Sequence, residues 1–323
     1  MTMRTRLYSL AGLSLLALLG VGTAAGQARL WEEPGPCDRE CLKGMVDTYI
    51  DAMVAGDRDG APFSESVKYT ENTAVLEIGQ GLWESSTGAS ETFRIYVPDP
   101  VARQIGFMGL IQSGQQSHLL ALRLKVEDDE ITEVEHLVAS VNPNVLPNLQ
   151  TPRKSLVTEL PKWDRIPREL MLVIAASYYD ALLQSNGEAT LFADDCERRE
   201  NGMITAGGEG VGFDGLPRQS CFDQMNSRTF TYITSIDLQR VWIADEVTGL
   251  VFSLSHFRHA FETNTFQVYG RDGRITERQM DYEPFDFASA HIQKIEKYRI
   301  SDQEAMGVRL PYRSTNGWNP FWR

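Results

Sequence analysis

The chain has 323 residues, of which 42% are hydrophobic, and a formal net charge of −13 at pH 7. The hydrophobic content is enough for two cores of ordinary size and excludes a largely disordered chain. The acidic balance disfavours nucleic acid and anionic lipid as partners, because both carry negative charge.

The first 25 residues have the pattern of a secretory signal peptide. Arg4 and Arg6 precede an apolar run over 7–21, and small residues follow up to Ala25. The run is too short to cross a bilayer comfortably, and Thr23-Ala24-Ala25 is a typical cleavage sequence. No later segment has an uninterrupted apolar run of about 18 residues. We therefore expect a mature protein that is periplasmic or secreted and that has no membrane partner.

The region from Tyr49 to Leu82 is repeated, without a gap, 129 positions later in the chain. Eight of its 34 positions are identical, where composition alone would give about two. The identical pairs are Tyr49 and Tyr178, Asp51 and Asp180, Ala52 and Ala181, Phe63 and Phe192, Glu71 and Glu200, Asn72 and Asn201, Gly79 and Gly208, and Gly81 and Gly210. A two-copy repeat of this length indicates a duplicated domain rather than a solenoid.

Each copy is predicted to open with an amphipathic helix. The apolar residues at helical spacing are Leu42, Val46, Tyr49 and Met53 in the first copy and Met171, Ala175, Tyr178 and Leu182 in the second. Antiparallel strands are predicted over 106–111, 118–126 and 131–139, and over 241–244, 250–261, 266–269 and 292–300. The prolines of 141–167 predict an extended linker between the copies.

These features predict the domain organisation. A signal peptide spans 1–25, a first domain 37–140, the linker 141–167, a second domain 168–305 with an insertion at 211–228, and an aromatic C-terminal tail 306–323. The tail contains Tyr312, Trp318, Phe321 and Trp322 without a regular period. It could cover a pocket mouth, pack on the other copy or contact a neighbouring subunit, and all three alternatives stay open.

Four cysteines in an exported chain predict two disulfides. We pair each cysteine with its near neighbour, Cys37 with Cys41 and Cys196 with Cys221. Free thiols are the alternative. The spacing fits no usual zinc pattern, and we expect neither a metal nor another cofactor.

Two segments carry a family resemblance. KYTENTAVLEIGQGLW (68–83) and LALRLKVEDDEITEVEHLVA (120–139) resemble the SnoaL-like branch of the nuclear-transport-factor-2-like superfamily, and more narrowly an uncharacterised SnoaL-like domain of secreted bacterial and fungal proteins. The resemblance covers 37–140 well, and the second copy matches mainly through the first. It implies an α+β fold of two tandem cone-shaped rolls, each a helix-covered, strongly bent antiparallel sheet around an apolar pocket.

The resemblance also implies a chemistry. Enzymes of that superfamily include ketosteroid isomerase, scytalone dehydratase, polyketide cyclases and cofactor-free lyases. They move a proton with a carboxylate or a histidine and stabilise an oxyanion with Tyr, Asp or Arg in a dry pocket. Other members only bind ligands or partners, so the fold by itself does not decide between catalysis and binding.

The strand predicted in SHFRHAF (255–261) contains the first candidate site. Alternation places His256 and Arg258 on one face, and matching Leu254 to Leu122 puts them at positions that are apolar in the first copy. Polar groups on an otherwise apolar face are what a pocket requires. The alternative is a hydrogen-bonded strand histidine beside a surface arginine. His259 faces the other way, so a metal site shared by the two histidines is not expected.

Other candidates come from both copies. The resemblance implies that Glu71 and Glu200 lie near the general base of ketosteroid isomerase, although a shift of one residue puts Asn72 or Asn201 there instead. A structural role of the Glu-Asn pair is the alternative. Tyr49 and Tyr178, on the buried helix faces, could donate a hydrogen bond to an oxyanion or simply pack in the core. His136 and Trp242 are further candidates for binding.

We therefore expect an exported, cofactor-independent acid–base enzyme, an isomerase, dehydratase or carbon–carbon lyase, for a small hydrophobic, aromatic or polycyclic molecule. The expected catalytic residues are His256, Arg258, Glu200 and Tyr178, and the expected binding residues are Tyr49, Glu71, Asn72, His136, Asn201 and Trp242. The alternative is a non-enzymatic periplasmic ligand-binding or interaction protein. Either could be a monomer of two pseudo-dimeric domains or a homo-oligomer.

Overall fold

The computed structural model of the chain describes residues 37–211, 217–270 and 272–319. The expected signal peptide at 1–25 and the tail residues Phe321 and Trp322 lie outside the described residues. Among the described residues, no helix has both the length and the apolar character needed to cross a membrane.

The first copy folds into a roll, which we call the first roll. Its elements are α1 (Arg39–Ala55), β1 (Phe63–Glu71), β2 (Ala74–Leu76), α2 (Leu82–Ser85), β3 (Gly88–Asp99), β4 (Gln104–Ser113), β5 (Gln116–Glu127) and β6 (Glu130–Ser140). The strands form one sheet in the order β2-β1-β6-β5-β4-β3, in which β1 and β6 run parallel. The side chain of Asp38 caps α1 by accepting a hydrogen bond from the Cys41 backbone nitrogen, and the helix ends at Gly56 in the left-handed conformation.

The second copy repeats this arrangement as the second roll. Its elements are α3 (Arg168–Gln184), β7 (Phe192–Glu200), β8 (Met203–Ala206), α4 (Cys221–Asn226), β9 (Ser235–Asp245), β10 (Leu250–His259), β11 (Thr265–Tyr269), β12 (Ile275–Gln279), β13 (Phe285–Glu296) and β14 (Arg299–Pro311). The main sheet has the order β8-β7-β14-β13-β10-β9, which is the order of the first roll. The predicted fold class, two tandem α+β rolls, is confirmed.

Several of the identical positions have the same structural role in both copies. Phe63 and Phe192 each pack edge to face on the helix tyrosine of their own roll, Tyr49 and Tyr178. The repeated glycines at 79, 81, 208 and 210 all have positive φ. At Gly81 a Cβ atom would also lie 2.5 Å from a carboxylate oxygen of Glu71. These positions therefore require glycine.

The hairpin of β11 and β12 is the main difference between the rolls, and the strand alignment made from the sequence, which lacked β3, is wrong for the second sheet. The strand predicted over 266–269 pairs only within this hairpin. The segment 292–300, predicted as one strand, contains the turn between β13 and β14, where Lys297 and Tyr298 have positive φ. The counterpart of β5 is therefore β13 rather than β10, so that Leu254 does not correspond to Leu122.

The segments outside the rolls also differ from the predictions. The linker contains two 3-10 helices, Pro143–Leu149 and Lys154–Leu156, and is not extended throughout. Arg153 fixes it to the second roll through hydrogen bonds to the Asp302 carboxylate, at 2.5 Å, and to the Gln303 carbonyl, at 2.7 Å. Residues 306–311, predicted as the start of the tail, belong to β14.

The two expected disulfide pairings are confirmed. Cys37 is bonded to Cys41 at the start of α1, and Cys196 on β7 is bonded to Cys221 at the start of α4. No described cysteine is free. Disulfides are typical of proteins that fold in an oxidising compartment.

The two rolls pack back to back through the outer faces of their main sheets. Met108 and Ala121 of the first roll and Phe252, Leu254 and Ile292 of the second belong to one buried apolar cluster. The sheets approach so closely that a Cβ atom on Gly106 would lie 2.2 Å from the Phe252 ring. Two further clusters lie inside the rolls, one under α1 and one under α3.

The tail crosses from the second roll to the first. The Ser314 backbone nitrogen donates to Asp286 at 2.7 Å, and the Gly317 nitrogen donates to the Thr73 carbonyl at 2.9 Å. The indole nitrogen of Trp318 donates to the Thr70 hydroxyl at 2.7 Å. Of the three alternatives for this segment, the described part packs on the other copy.

A buried ion cluster also joins the rolls. Glu135 on β6 receives hydrogen bonds from Arg123 of the same roll, at 3.1 Å, and from Arg240 of the second roll, at 2.6 Å. All three side chains are buried. Burial, the largest effect, raises the pKa of Glu135, but Arg240 and then Arg123 outweigh it and the pKa is lowered. Glu135 is therefore ionised between the two arginines.

We predict that Glu135→Ala lowers the free energy of unfolding by about 3–5 kcal/mol, because it leaves the buried Arg240 without its counter-charge and the buried Arg123 with only the partly exposed Glu133. Glu133→Ala is the control, since Glu133 also pairs with Arg123, at 2.8 Å, but is partly exposed. It should cost about 1 kcal/mol or less. Urea unfolding measures both, and equal losses would contradict the role given to Glu135.

Candidate functional site

The second roll contains a cavity of about 260 Å³. Its wall is mainly apolar and aromatic, formed by Leu182, Phe230, Tyr232, Ile233, Phe257, Met280, Tyr282, Phe285 and Phe287. Four ionisable residues complete the wall, namely Arg198, Glu200, His259 and Arg309. The segment after α4 and the segment after β12 supply five of these residues, so the elements that the first roll lacks build much of the cavity.

Arg198 organises one side of the cavity. Its Nε donates to the Tyr178 hydroxyl at 2.9 Å, its Nη2 to Glu200 Oε2 at 2.6 Å, and its Nη1 to the Thr205 hydroxyl at 2.7 Å. Arg198 and Glu200 alternate on β7, so they share the face that meets Tyr178 on α3. Burial, the largest effect, lowers the pKa of Arg198, but Tyr178 and Glu200 together outweigh it and raise the pKa. The guanidinium is therefore a fixed positive charge.

His259 lies on the aromatic side of the cavity. Its ring stacks on Phe285, with 4.5 Å between centroids, and on Tyr232, at 5.4 Å. Burial is the main cause that lowers the pKa of His259 to about 4, so the imidazole is neutral at neutral pH. Its Nδ1 has no hydrogen-bond partner among the described residues. Burial also raises the pKa of Tyr232 to about 12.

The candidates of the first roll form a buried network. His136 Nε2 lies 2.8 Å from the Tyr49 hydroxyl, and His136 Nδ1 lies 3.3 Å from Glu71 Oε2. The Tyr69 hydroxyl donates to Glu71 at 2.9 Å, and the Trp83 indole donates to the Tyr49 hydroxyl at 2.7 Å. The structure therefore brings Tyr49, Glu71 and His136 together, as a hydrogen-bonded part of the interior.

The network holds Glu71 as a carboxylate. Desolvation, the largest single effect, raises the pKa of Glu71. The hydrogen bond and charge of His136, the Leu82 backbone N–H and the Tyr69 hydroxyl together outweigh it, and the pKa is lowered. Desolvation raises the pKa of Tyr49 and of Tyr69 well above their usual range, so both remain neutral donors.

Asn72 and Asn201 end β1 and β7 in the left-handed conformation, which Asn tolerates better than most residues. Each side chain bonds the neighbouring strand twice. Asn72 donates to the Val138 carbonyl and accepts from the Val138 nitrogen, and Asn201 does the same with Gly307. The two asparagines thus hold strand ends together, which is the structural role that the sequence analysis gave as the alternative for the Glu-Asn pairs. The glutamates of these pairs face the interiors of the rolls.

The structure does not bring His256 and Arg258 together with Glu200 and Tyr178. They lie on the face of β10 that carries Leu254, toward the packed sheets, because β10 corresponds to β4. His256 Nε2 lies 3.3 Å from Asp286 Oδ2, and Arg258 binds Asp286 and the Ser314 carbonyl. Both residues therefore help to hold the tail where it crosses from the second roll to the first.

Trp242 and the two strand histidines lie at different positions of the second sheet. Trp242 is about half exposed on β9, with its ring 5.9 Å from the Arg240 guanidinium. His256 and His259 lie on opposite faces of β10, as the alternation predicts. Arg198, Arg309 and the aromatic wall were missed, although the alternation of Arg198 with Glu200 on β7 was a readable signal.

Comparisons with known proteins concern the fold. Residues 164–307 match a family described as a domain of unknown function (DUF8021). A comparison with curated proteins found no match. Each of the similar solved structures described next covers less than half of this chain, and they include the kinds of protein that the sequence resemblance named.

One similar structure is a proposed polyketide cyclase from Silicibacter sp. TM1040, with 8% identity over 43% of this chain and 90% of that chain and a TM-score of 0.29. Another is a proposed ketosteroid isomerase from Kribbella flavida DSM 17836, with 15% identity over 41% and 98% of the two chains and a TM-score of 0.26. A third is a proposed polyketide cyclase from Streptomyces antibioticus, with 17% identity over 43% and 91% and a TM-score of 0.26.

We predict that Glu71 stabilises the fold only while it is ionised. Because its pKa is lower in the folded than in the unfolded chain, the advantage of wild type over Glu71→Gln should be complete above about pH 4.5 and disappear as the pH falls through the folded pKa. Melting temperatures between pH 3 and 7 measure this. Glu77→Gln, at an exposed position of the same region, should show no such pH dependence. A pH-independent difference for Glu71→Gln would contradict the interpretation.

Proposed function

We propose that the second roll is a cofactor-independent acid–base enzyme that acts on a small, largely aromatic or hydrophobic molecule bearing a carbonyl group. The observation that supports it is the hydrogen-bonded chain Tyr178–Arg198–Glu200 at the wall of an aromatic cavity. The two disulfides support the further proposal that the protein works outside the cytoplasm.

The cavity limits the kind of substrate. Pockets for drug-sized ligands measure about 300–1,000 Å³, so a cavity of about 260 Å³ suits a molecule of one or two rings. Phe257, Phe285 and Phe287 favour flat apolar rings, since aromatic pairs add attraction to area burial. Arg309 lies in the same wall and, like Arg198, favours a ligand that carries or develops negative charge.

The polar side of the cavity has the two groups that enolisation needs. Glu200 presents a carboxylate that can accept a proton from a carbon next to a carbonyl. Arg198, a permanent cation that the Tyr178 hydroxyl holds in place from outside the cavity wall, stands beside it and would stabilise the oxygen on which negative charge develops. The proton would then return to the same or another carbon.

Binding without turnover is the second candidate, and a specific contact favours it. Arg198 already donates to Glu200 at 2.6 Å, so that this oxygen of the carboxylate is occupied by a partner inside the protein. His259, with a pKa of about 4, is a weak base. A protein that holds an oxygen-bearing aromatic molecule without changing it would have these properties.

The test uses 2-tetralone, a bicyclic ketone with exchangeable protons beside its carbonyl, in deuterated buffer, with exchange followed by NMR. We expect wild type to accelerate exchange and Glu200→Gln to lose about 100-fold or more of that acceleration. Asp194→Asn is the control, because Asp194 is exposed on the same strand. Its exchange rate should equal that of wild type.

The possible results separate the two candidates. Exchange that Glu200→Gln leaves unchanged would contradict the role of Glu200. Saturable binding of 2-tetralone by wild type without any exchange would contradict the enzyme and support the binding protein. Tyr178→Phe, which removes only the hydroxyl, should reduce exchange while retaining the bond between Arg198 and Glu200.

A further inference from the structure

The interior of the second roll is polar at positions where the first roll is apolar. Strand pairing defines equivalent rows across the two sheets. One row reads Tyr69, Val134, Leu124 and Ile105 in the first roll, and Arg198, Gln303, Gln293 and Val251 in the second. The next row reads Glu71, His136, Leu122 and Phe107, and Glu200, Ala305, His291 and Ser253.

Gln293 and Gln303 are the strongest feature of these rows. They are partners on β13 and β14, and their exposed fractions are 0% and 1%. The amide oxygen and nitrogen of both side chains have no hydrogen-bond partner among the described residues. Each unsatisfied buried group costs about 1–3 kcal/mol. Two adjacent amides with four unused hydrogen-bonding atoms are therefore expensive for the fold alone.

The neighbouring row adds two neutral polar groups, Ser253 and His291, and α3 adds a third, Tyr179. The Tyr179 hydroxyl lies 2.9 Å from the Ser253 hydroxyl and 3.2 Å from His291 Nδ1. Burial, followed by the charge of Arg198, lowers the pKa of His291 to about 3, so this imidazole is neutral. Burial is also the main cause that raises the pKa of Tyr179 to about 12.

Arg198 connects these rows to the cavity. It lines the cavity wall, and Gln303 is its partner on the adjacent strand. The other polar residues of the row, Gln303 and Gln293, lie behind Arg198 and are not part of the cavity wall. The charge of Arg198 is balanced by Glu200, and the residues beyond it are neutral, so an uncharged ligand group fits this interior.

We propose that Gln293, Gln303 and His291 form an inner polar subsite, which binds an uncharged ligand group that both donates and accepts hydrogen bonds, such as a hydroxyl or a carboxamide. The subsite rests on the proposed function, since it receives the polar end of a molecule whose rings occupy the aromatic cavity. The two glutamine side chains suit this role, because each carboxamide offers two N–H donors and one acceptor oxygen.

The test compares 2-naphthol with 2-methylnaphthalene, which has a methyl group in place of the hydroxyl. Isothermal titration with the full-length mature protein gives both affinities. We expect wild type to bind 2-naphthol about tenfold more tightly than 2-methylnaphthalene, the effect of one or two hydrogen bonds in a buried site. The variant Gln293→Leu with Gln303→Val, which installs the residues of the first roll, should reduce this preference to less than about threefold.

Stability provides a second readout. If the amides are held for a ligand, the ligand-free double variant should melt at the same or a higher temperature than wild type, because unsatisfied groups have been removed. Ile295→Val is the control, since Ile295 is buried in the same interior but is apolar. It should leave the preference for 2-naphthol unchanged. The two single variants serve if the double variant does not fold.

Equal affinities of the two probes for wild type, or an unchanged preference in the double variant, would overturn the subsite. A wild-type protein that binds neither probe would overturn it too. None of these results depends on the exchange of 2-tetralone, which tests the proposed function by itself. Conversely, a preference for 2-naphthol without any exchange would support the subsite and contradict the enzyme.

Discussion

The packing of the two main sheets through their outer faces is the constraint on which the rest of the structure depends. Phe252 packs against Gly106 in this interface, and Glu135 forms ion pairs there with one arginine from each roll. With their outer faces buried, the sheets can offer a cavity only on the inner side, under α1 or α3. Each interior is thus separated from the other by two layers of sheet, and the two could change independently after duplication.

The two interiors differ in their polar residues. In the first roll, Tyr49, Glu71 and His136 satisfy one another within an otherwise apolar core. In the second roll, Ala305 occupies the position of His136, while His291 occupies that of Leu122 one strand away. The segments after α4 and after β12 form much of the wall of the aromatic cavity. A polar interior without enough internal partners is more readily explained by a ligand than by stability, because burial without hydrogen bonds is unfavourable.

The sequence was sufficient to predict the duplication, the helices α1 and α3, both disulfides and the strands β4, β5 and β6, because these depend on exact repeats, on local periodicity and, for the disulfides, on cysteines that are neighbours in sequence. It did not predict the short helices α2 and α4. It was insufficient for the second sheet, since the inserted hairpin resembles an ordinary strand pair. The predicted strands of the first copy also lacked β3, so that β9 and β10 were shifted by one strand and aligned with β4 and β5. That shift led to the choice of His256 as a candidate site residue. Its side chain instead contacts Asp286 and the tail. The same alternation argument, applied to 285–296, would have separated Ser289, His291 and Gln293 from Ala288, Ala290 and Ile292 and identified the polar interior. The hydrogen bond between Arg198 and Tyr178, in contrast, depends on the packing of β7 against α3, which no local pattern contains.

The central claim, that the second roll holds a ligand between Arg198 and the aromatic wall, is tested most directly by diffraction from crystals soaked in 6-bromo-2-naphthol. Anomalous scattering locates the bromine atom without reference to the protein density. The account predicts one strong peak inside the second roll, at the aromatic side near Phe287, with the hydroxyl directed toward Gln303. A peak inside the first roll, or saturated crystals with no peak in the second, would contradict it.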